Sequence, residues 1–257
     1  MGELYLVGLG LSRKFVTQGA LEVLKSSDLV LFDSYTSYSC DISVEWLKSL
    51  GINAVPAERK DLENEYLKIM DQLGKGIKIA IATIGDPIIA TTHIALAIEA
   101  AKRGHKVKVI PGVSVLCYLL SKAGLSSYKL GRSVTVTFPE NLQSEYPYKV
   151  IKENDMLNLH TPVFLDISGG RMMTAKEAIR VLLSLEEKFK EGVITPDRYV
   201  IIGQRLGCDN ERVDVLKVSE IEGAELEEPP HILLFPSRRL HFVEEEGLEW
   251  IRRRLIE

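Results

Sequence analysis

The chain has 257 residues, 46% of them apolar and 26% charged, the balance of a folded globular protein, which excludes a disordered or fibrous one. Its 32 Lys and Arg stand against 36 Asp and Glu for a net charge of -4, so the overall field offers a nucleic-acid backbone no attraction. The length suits two moderate domains or one large one.

Short β-branched runs alternate with helix-period segments through the first half, the pattern of βα units feeding a largely parallel sheet. A strand is expected at 4–7, a helix capped by Thr17 that runs to about Ser26, a strand at 28–32, and a helix capped by Ser43 and closed by Gly51. A helix at 61–73, a buried strand at 78–83, a helix at 91–103 ended by Gly104, and a strand at 106–110 before the turn Pro111-Gly112 complete one doubly wound unit. The polar, turn-rich stretch 124–131 marks the expected boundary, giving α/β domains at 1–125 and 126–257. Beyond it, strands at 133–138, 163–167, 199–202, 212–216 and 231–235 stand around only two long helices, so a mixed sheet is expected. Thr174 and Glu177 form a capping box for a helix whose buried face carries Ala178, Ile179, Leu182 and Leu183, and a last helix is expected at 242–255.

The most apolar window, 77–90, carries Lys78 and Asp86 and is too short to cross a bilayer, so no membrane association is expected. Met1 leads directly into a strand-like run without a secretory pattern, and a cytoplasmic protein is expected. Cys40, Cys117 and Cys208 are odd in number and have no paired spacing for a disulfide framework or a zinc site, and no histidine has a partner at ligand spacing, so neither a disulfide framework nor a metal site is expected. Basic runs at 102–108 and 252–254 have acids nearby, such as Glu244, and read as solvated faces; no nucleic-acid partner is expected.

In open α/β sheets ligands bind beyond the carboxyl ends of strands. Three segments stand there. Gly8-Leu9-Gly10-Leu11-Ser12 permits a sharp turn and close backbone approach, while Arg13, where a dinucleotide fingerprint needs a third glycine, disfavours a pyrophosphate cradle. In Thr83-Ile84-Gly85-Asp86-Pro87, Asp86 is either a ligand carboxylate for ribose hydroxyls or an amine, or a helix cap. In Ile110-Pro111-Gly112-Val113-Ser114, backbone N–H groups and the Ser114 hydroxyl can hold polar ligand edges, although generic turn chemistry explains Pro-Gly equally. His231 opens an apolar strand after Pro229-Pro230, and reads as a site residue or a satisfied structural histidine.

Together the three turns resemble the tetrapyrrole-methylase superfamily of S-adenosylmethionine-dependent methyltransferases. This chain has Gly10-Leu11-Ser12 where many members have Pro-Gly-Asp after the first glycine pair. Longer stretches, Ser34-Tyr35-Thr36-Ser37, Asp86-Pro87-Ile88-Ile89-Ala90-Thr91-Thr92-His93, Met173-Thr174-Ala175-Lys176-Glu177-Ala178 and Glu228-Pro229-Pro230-His231-Ile232-Leu233 among them, are similar to the diphthine synthase family. The resemblance implies a homodimer of two α/β domains, a largely parallel sheet in the first, a mixed sheet in the second and S-adenosylmethionine in a cleft between them. It implies that Leu9, Asp86, Ile89, Ser114 and Val115 line that cleft from the first domain, and Leu165, Leu206 and His231 from the second. The implied reaction is methylation, to the trimethyl form, of the amino group of the aminocarboxypropyl-histidine of elongation factor 2. No residue is assigned as a catalytic base, and Tyr35 and Tyr38 are candidates to stabilise the trimethylammonium through an aromatic face. The competing readings are a tetrapyrrole (precorrin-type) methyltransferase and a non-catalytic nucleotide-binding module.

Overall fold

A computed structural model describes residues 1–253, and the chain divides into two compact units, Met1–Ser114 and Val115–Glu257. In the first unit β1 (Glu3–Gly8), β2 (Leu29–Asp33), β3 (Ala54–Ala57), β4 (Lys78–Thr83) and β5 (Lys106–Ile110) form a sheet in the order β3-β2-β4-β1-β5. Every pairing is parallel. Because successive side chains leave a strand on opposite faces, Leu4 and Leu6 of β1 and Ile79 and Ile81 of β4 enter one core with Ile69, Met70, Leu73 and Leu96. Tyr5, Val7, Ala80 and Ala82 enter the other with Ala20, Leu24 and Leu47. The strands read as unbroken apolar runs because both faces are buried.

Helices α1 (Gln18–Lys25) and α2 (Val44–Ser49) begin where expected: Thr17 Oγ1 accepts the Ala20 N–H at 3.1 Å and Ser43 Oγ accepts that of Trp46 at 3.2 Å. The helix expected at 61–73 is two elements, a π-turn at Lys60–Asn64 and α3 (Leu67–Gly74). A bond from Glu65 N–H to the Lys60 carbonyl, 2.7 Å long and spanning five residues, widens the first turn and interrupts the regular spiral. Helix α4 (His93–Lys102) starts two residues later than the sequence pattern suggests, after Ala90 with its φ of 57°.

The second unit opens with α5 (Val115–Lys122), and so begins ahead of the 124–131 segment. Glu211, within this unit, holds α5: its carboxylate accepts from the Tyr118 hydroxyl at 2.9 and 2.8 Å and pairs with Lys122 at 2.9 Å. Strands β6 (Val134–Val136), β7 (Thr161–Leu165), β10 (Tyr199–Gln204), β11 (Arg212–Lys217) and β12 (His231–Phe235) form a mixed sheet in the order β11-β10-β12-β7-β6, with only β6 and β7 parallel. A small hairpin, β8 (Ile167–Ser168) and β9 (Arg171–Met172), turns through Gly169 and Gly170, both at positive φ. Helices α6 (Tyr146–Met156) and α7 (Ala175–Phe189) cover a core that includes Val136, Val163, Ile179, Leu182, Ile202 and Phe235. The Thr174–Glu177 capping box is present. After α8 (Val218–Ile221), α9 (Phe242–Arg252) ends the described chain; positions 254 and 255 of the expected last helix lie outside the described residues.

Candidate cofactor-binding site

The order β4-β1-β5 places the ends of three adjacent parallel strands side by side, so the three turns singled out in the sequence emerge together. They interlock through backbone. The Leu9 N–H donates to the Thr83 carbonyl at 2.9 Å, Gly10 N–H to the Gly85 carbonyl at 3.1 Å, and Gly85 N–H back to the Gly10 carbonyl at 2.9 Å. A Cβ on Gly8 would stand 2.5 Å from the Gly112 nitrogen and 2.7 Å from the Gly85 carbonyl oxygen, so only glycine allows the first and third turns to approach this closely.

Asp86 ties the cluster. One carboxylate oxygen accepts from the Ile88 and Ile89 N–H groups at 2.9 and 3.3 Å, and the other accepts from Gly112 N–H at 3.2 Å. The cap reading and the ligand reading are therefore compatible: Asp86 organises its own loop, bridges to the third turn, and keeps a lone pair on Oδ2 for a further donor. Ser12 is 1% exposed, and its hydroxyl has no hydrogen-bond partner among the described residues.

The other expected site residues separate by role. Leu9 is fully buried with its side chain in the α1 and α2 core, so it presents backbone to the turn cluster. Ile89 is half-buried on the Asp86 loop, and Ser114, 4% exposed, ends the first unit. In the second unit Val115 is the first residue of α5. Leu206 packs at Gly203, where a Cβ would lie 2.7 Å from Leu206 Cδ1, 2.9 Å from Ile232 Cγ2 and 3.0 Å from Leu119 Cδ1. Leu165 ends β7 half-buried against the α6 and α7 core.

His231 is the histidine for which a structural role was weighed, and it has one. Its Nδ1 accepts the Ala175 N–H at 3.0 Å, which satisfies a donor at the start of α7, and its Nε2 donates to the Glu227 carbonyl at 2.8 Å. Burial first, partly offset by that carbonyl, lowers its pKa and keeps it neutral. Tyr35 also has partners: the Arg59 guanidinium lies 5.1 Å from its ring centroid, and its hydroxyl is 3.4 Å from Glu63.

Residues 3–222 match the family described as Tetrapyrrole (Corrin/Porphyrin) Methylases. The chain belongs to that family. As a methylase it is 50% identical over 257 residues, 98% of this chain and 100% of the relative, to a diphthine synthase of Saccharolobus solfataricus. It is 47% identical over 250 residues, 97% of this chain and 98% of the relative, to one of Sulfurisphaera tokodaii. Among solved structures it resembles a crystal structure of diphthine synthase with a TM-score of 0.88 at 29% identity, covering 99% of this chain and 100% of that one. This methylase is an S-adenosylmethionine-dependent methyltransferase with the α/β architecture of those relatives, a parallel first sheet and a mixed second one. No helix among the described residues is long and apolar enough to cross a membrane.

Proposed function

We propose that this methyltransferase methylates, to the trimethyl form, the amino group of the aminocarboxypropyl-histidine of elongation factor 2, the diphthine-forming step of diphthamide biosynthesis, and that it works in the cytoplasm as a homodimer. The observation that carries the cofactor assignment is the closure of three strand-end turns into one backbone cluster around Asp86. The residues present fit the methyl donor: glycines keep the backbone bare where a ligand must approach, Asp86 retains acceptor capacity for ribose hydroxyls or an amine, and Ser12 holds a buried hydroxyl for a polar ligand atom. Leu9, Asp86, Ile89 and Ser114 from the first unit and Val115, Leu165, Leu206 and His231 from the second are the residues assigned to S-adenosylmethionine.

S-adenosylmethionine supplies an electrophilic methyl group on a sulfonium. The protein's part is to orient donor and acceptor and to exclude water, and no side chain has to act as nucleophile. Asp86 holds the donor in place and takes no proton in this scheme. His231, with both ring nitrogens committed, acts by fixing the start of α7.

Two measurements test the assignment. Asp86→Ala should weaken S-adenosylmethionine binding by calorimetry at least tenfold, about 1.4 kcal/mol, while circular dichroism still reports a folded chain. Incubation with purified, aminocarboxypropylated elongation factor 2 should add methyl groups detectable by mass spectrometry; turnover of a precorrin-type tetrapyrrole in its place would overturn the acceptor. A second copy is favoured by the exposed apolar residues Ile94 and Ile98 of α4 and Val109 of the edge strand β5, 46%, 49% and 40% exposed. Light scattering should return the dimer mass, and Ile98→Glu should shift it toward the monomer.

A further inference from the structure

The face of the first sheet that packs on α3 and α4 is apolar along its length, with Leu29 and Leu31 from β2 and Ile79 and Ile81 from β4. By the two-residue period of a strand, the next inward positions are Asp33 and Thr83, the last residues of those two strands. Both are 1% exposed, and between them sits His93, 2% exposed, the first residue of α4. His93 Nδ1 lies 3.3 Å from Thr83 Oγ1, and His93 Nε2 lies 3.3 Å from Asp33 Oδ2, in contact although not aligned as a hydrogen bond. The Asp33 carboxylate also accepts from the Tyr35 and Thr36 N–H groups, each at 3.1 Å, and from the Thr36 hydroxyl at 2.5 Å.

Three polar groups buried where apolar side chains would pack carry a desolvation cost. Their placement shows what they do. Thr83 precedes the segment 84–92 and His93 follows it, so their contact closes the base of the loop that carries Asp86 and Ile89. Within the loop Asp86 caps Ile88 and Ile89, and Thr91 Oγ1 donates to the Pro87 carbonyl at 2.6 Å. Those bonds set the loop's internal shape; the Thr83–His93 contact joins its ends, and Asp33 backs the ring from the neighbouring strand. A directional polar contact at the loop's base favours one arrangement of its two ends.

We propose that Thr83, His93 and Asp33 form a buried brace that fixes the Asp86 loop, with His93 a positioning residue for the methyl donor. The inference rests on the reading of the Asp86 loop as part of the cofactor site. The brace acts on donor binding through loop geometry, since a displacement of about 1 Å at a positioned group can change rates by about a hundredfold.

The test measures S-adenosylmethionine affinity by calorimetry, the split between KM and kcat, and the melting temperature, for Thr83→Val, His93→Ala, His93→Asn and Asp86→Ala. Thr83→Val replaces a hydroxyl by a methyl of similar size, so it should fold even if His93→Ala does not. Thr83→Val and His93→Ala should each weaken donor binding by about tenfold, with KM for the donor rising more than kcat falls, as loss of one buried contact predicts. His93→Asn keeps a nitrogen or oxygen near the Nδ1 position and should recover affinity to within about threefold of wild type. The Thr83→Val, His93→Ala double variant should bind no more weakly than either single variant, because both remove the same contact. A purely structural role would lower the melting temperature and leave affinity unchanged. If Thr83→Val and His93→Ala bind the donor like wild type while Asp86→Ala binds weakly, the brace is wrong and the cofactor site stands; if Asp86→Ala also binds like wild type, both fall.

Discussion

Gly112→Ala probes the turn cluster at its tightest point. The new Cβ would overlap the Gly85 carbonyl oxygen outright and lie 2.8 Å from both the Cα and the carbonyl carbon of Gly8, where ordinary contact begins at 3.4 Å. All these neighbours are backbone, so no side chain can rotate away, and the third turn must retreat by at least about 0.6 Å, the gap between those two distances. The bond from Gly112 N–H to Asp86 is already 3.2 Å long and would be lost. Overpacking costs about 1 to 3 kcal/mol, and the lost bond to a charged group about 1.5 to 3 kcal/mol. A combined loss of about 3 kcal/mol should lower the melting temperature by roughly 6 to 12 °C at this chain length. Donor affinity, read by calorimetry below the melting range, should fall at least tenfold because Asp86 loses its bridge. Gly19→Ala is the control: it lies in α1 with nothing within 4 Å of the added methyl, and should stabilise by about 0.5 to 1 kcal/mol. A Gly112→Ala protein with wild-type melting temperature and donor affinity would refute the reasoning.

Burial would raise the Glu244 carboxyl, but N–H groups of His241 and Ser126, the Lys129 ammonium and His160 hold it at about 2 instead of 4.5. A depressed acid contributes stability above its unfolded value, so about 3 kcal/mol should be lost as the pH falls from 4.5 to 2; chemical denaturation of Glu244→Gln should show a correspondingly flatter acid limb, and matching limbs would contradict this. Glu186 accepts from the Gly192, Val193 and Ile194 N–H groups at 2.7, 2.7 and 2.8 Å and from the Tyr148 hydroxyl at 2.9 Å. Its replacement by Ala should destabilise by about 2 kcal/mol or more through the stranded donors, and an unchanged melting temperature would remove that role. If an aromatic face stabilises the trimethylammonium product, replacing both Tyr35 and Tyr38 by Leu should shift the proportions of mono-, di- and trimethylated product. Mass spectrometry showing identical proportions for the double variant would end the case for an aromatic cation site.

Much of the fold was legible because local rules agree with tertiary ones. The unbroken apolar runs of β1 and β4 announced strands buried on both faces, and Thr17, Ser43 and the Thr174–Glu177 pair marked helix starts because their oxygens satisfy N–H groups that no helix can satisfy internally. The β8 and β9 hairpin went unread although Gly169-Gly170 is its signal; strands of two residues carry no measurable period. The division at Ser114 was hidden for another reason. A polar stretch at 124–131 looks like a linker, but α5 is held by Glu211, a residue far along the chain whose carboxylate composition cannot place.

The sequence by itself determined the parallel and mixed sheets, most of their strands, and the three turns with the glycines that let backbone approach backbone, while β3, α6 and the β8–β9 hairpin went unread. Only the tertiary structure decided that these turns interlock through Asp86, that the Leu9 side chain is committed to the core while its backbone faces the turns, and that His231 and Tyr35 are engaged inside their own units. It also brought Asp33, Thr83 and His93 together from two strand ends and a helix start. The physical reason is one of range: caps, turns and periodicity are set by neighbours within a few residues, whereas burial and the partner of a polar atom depend on which distant segment the folded chain brings beside it.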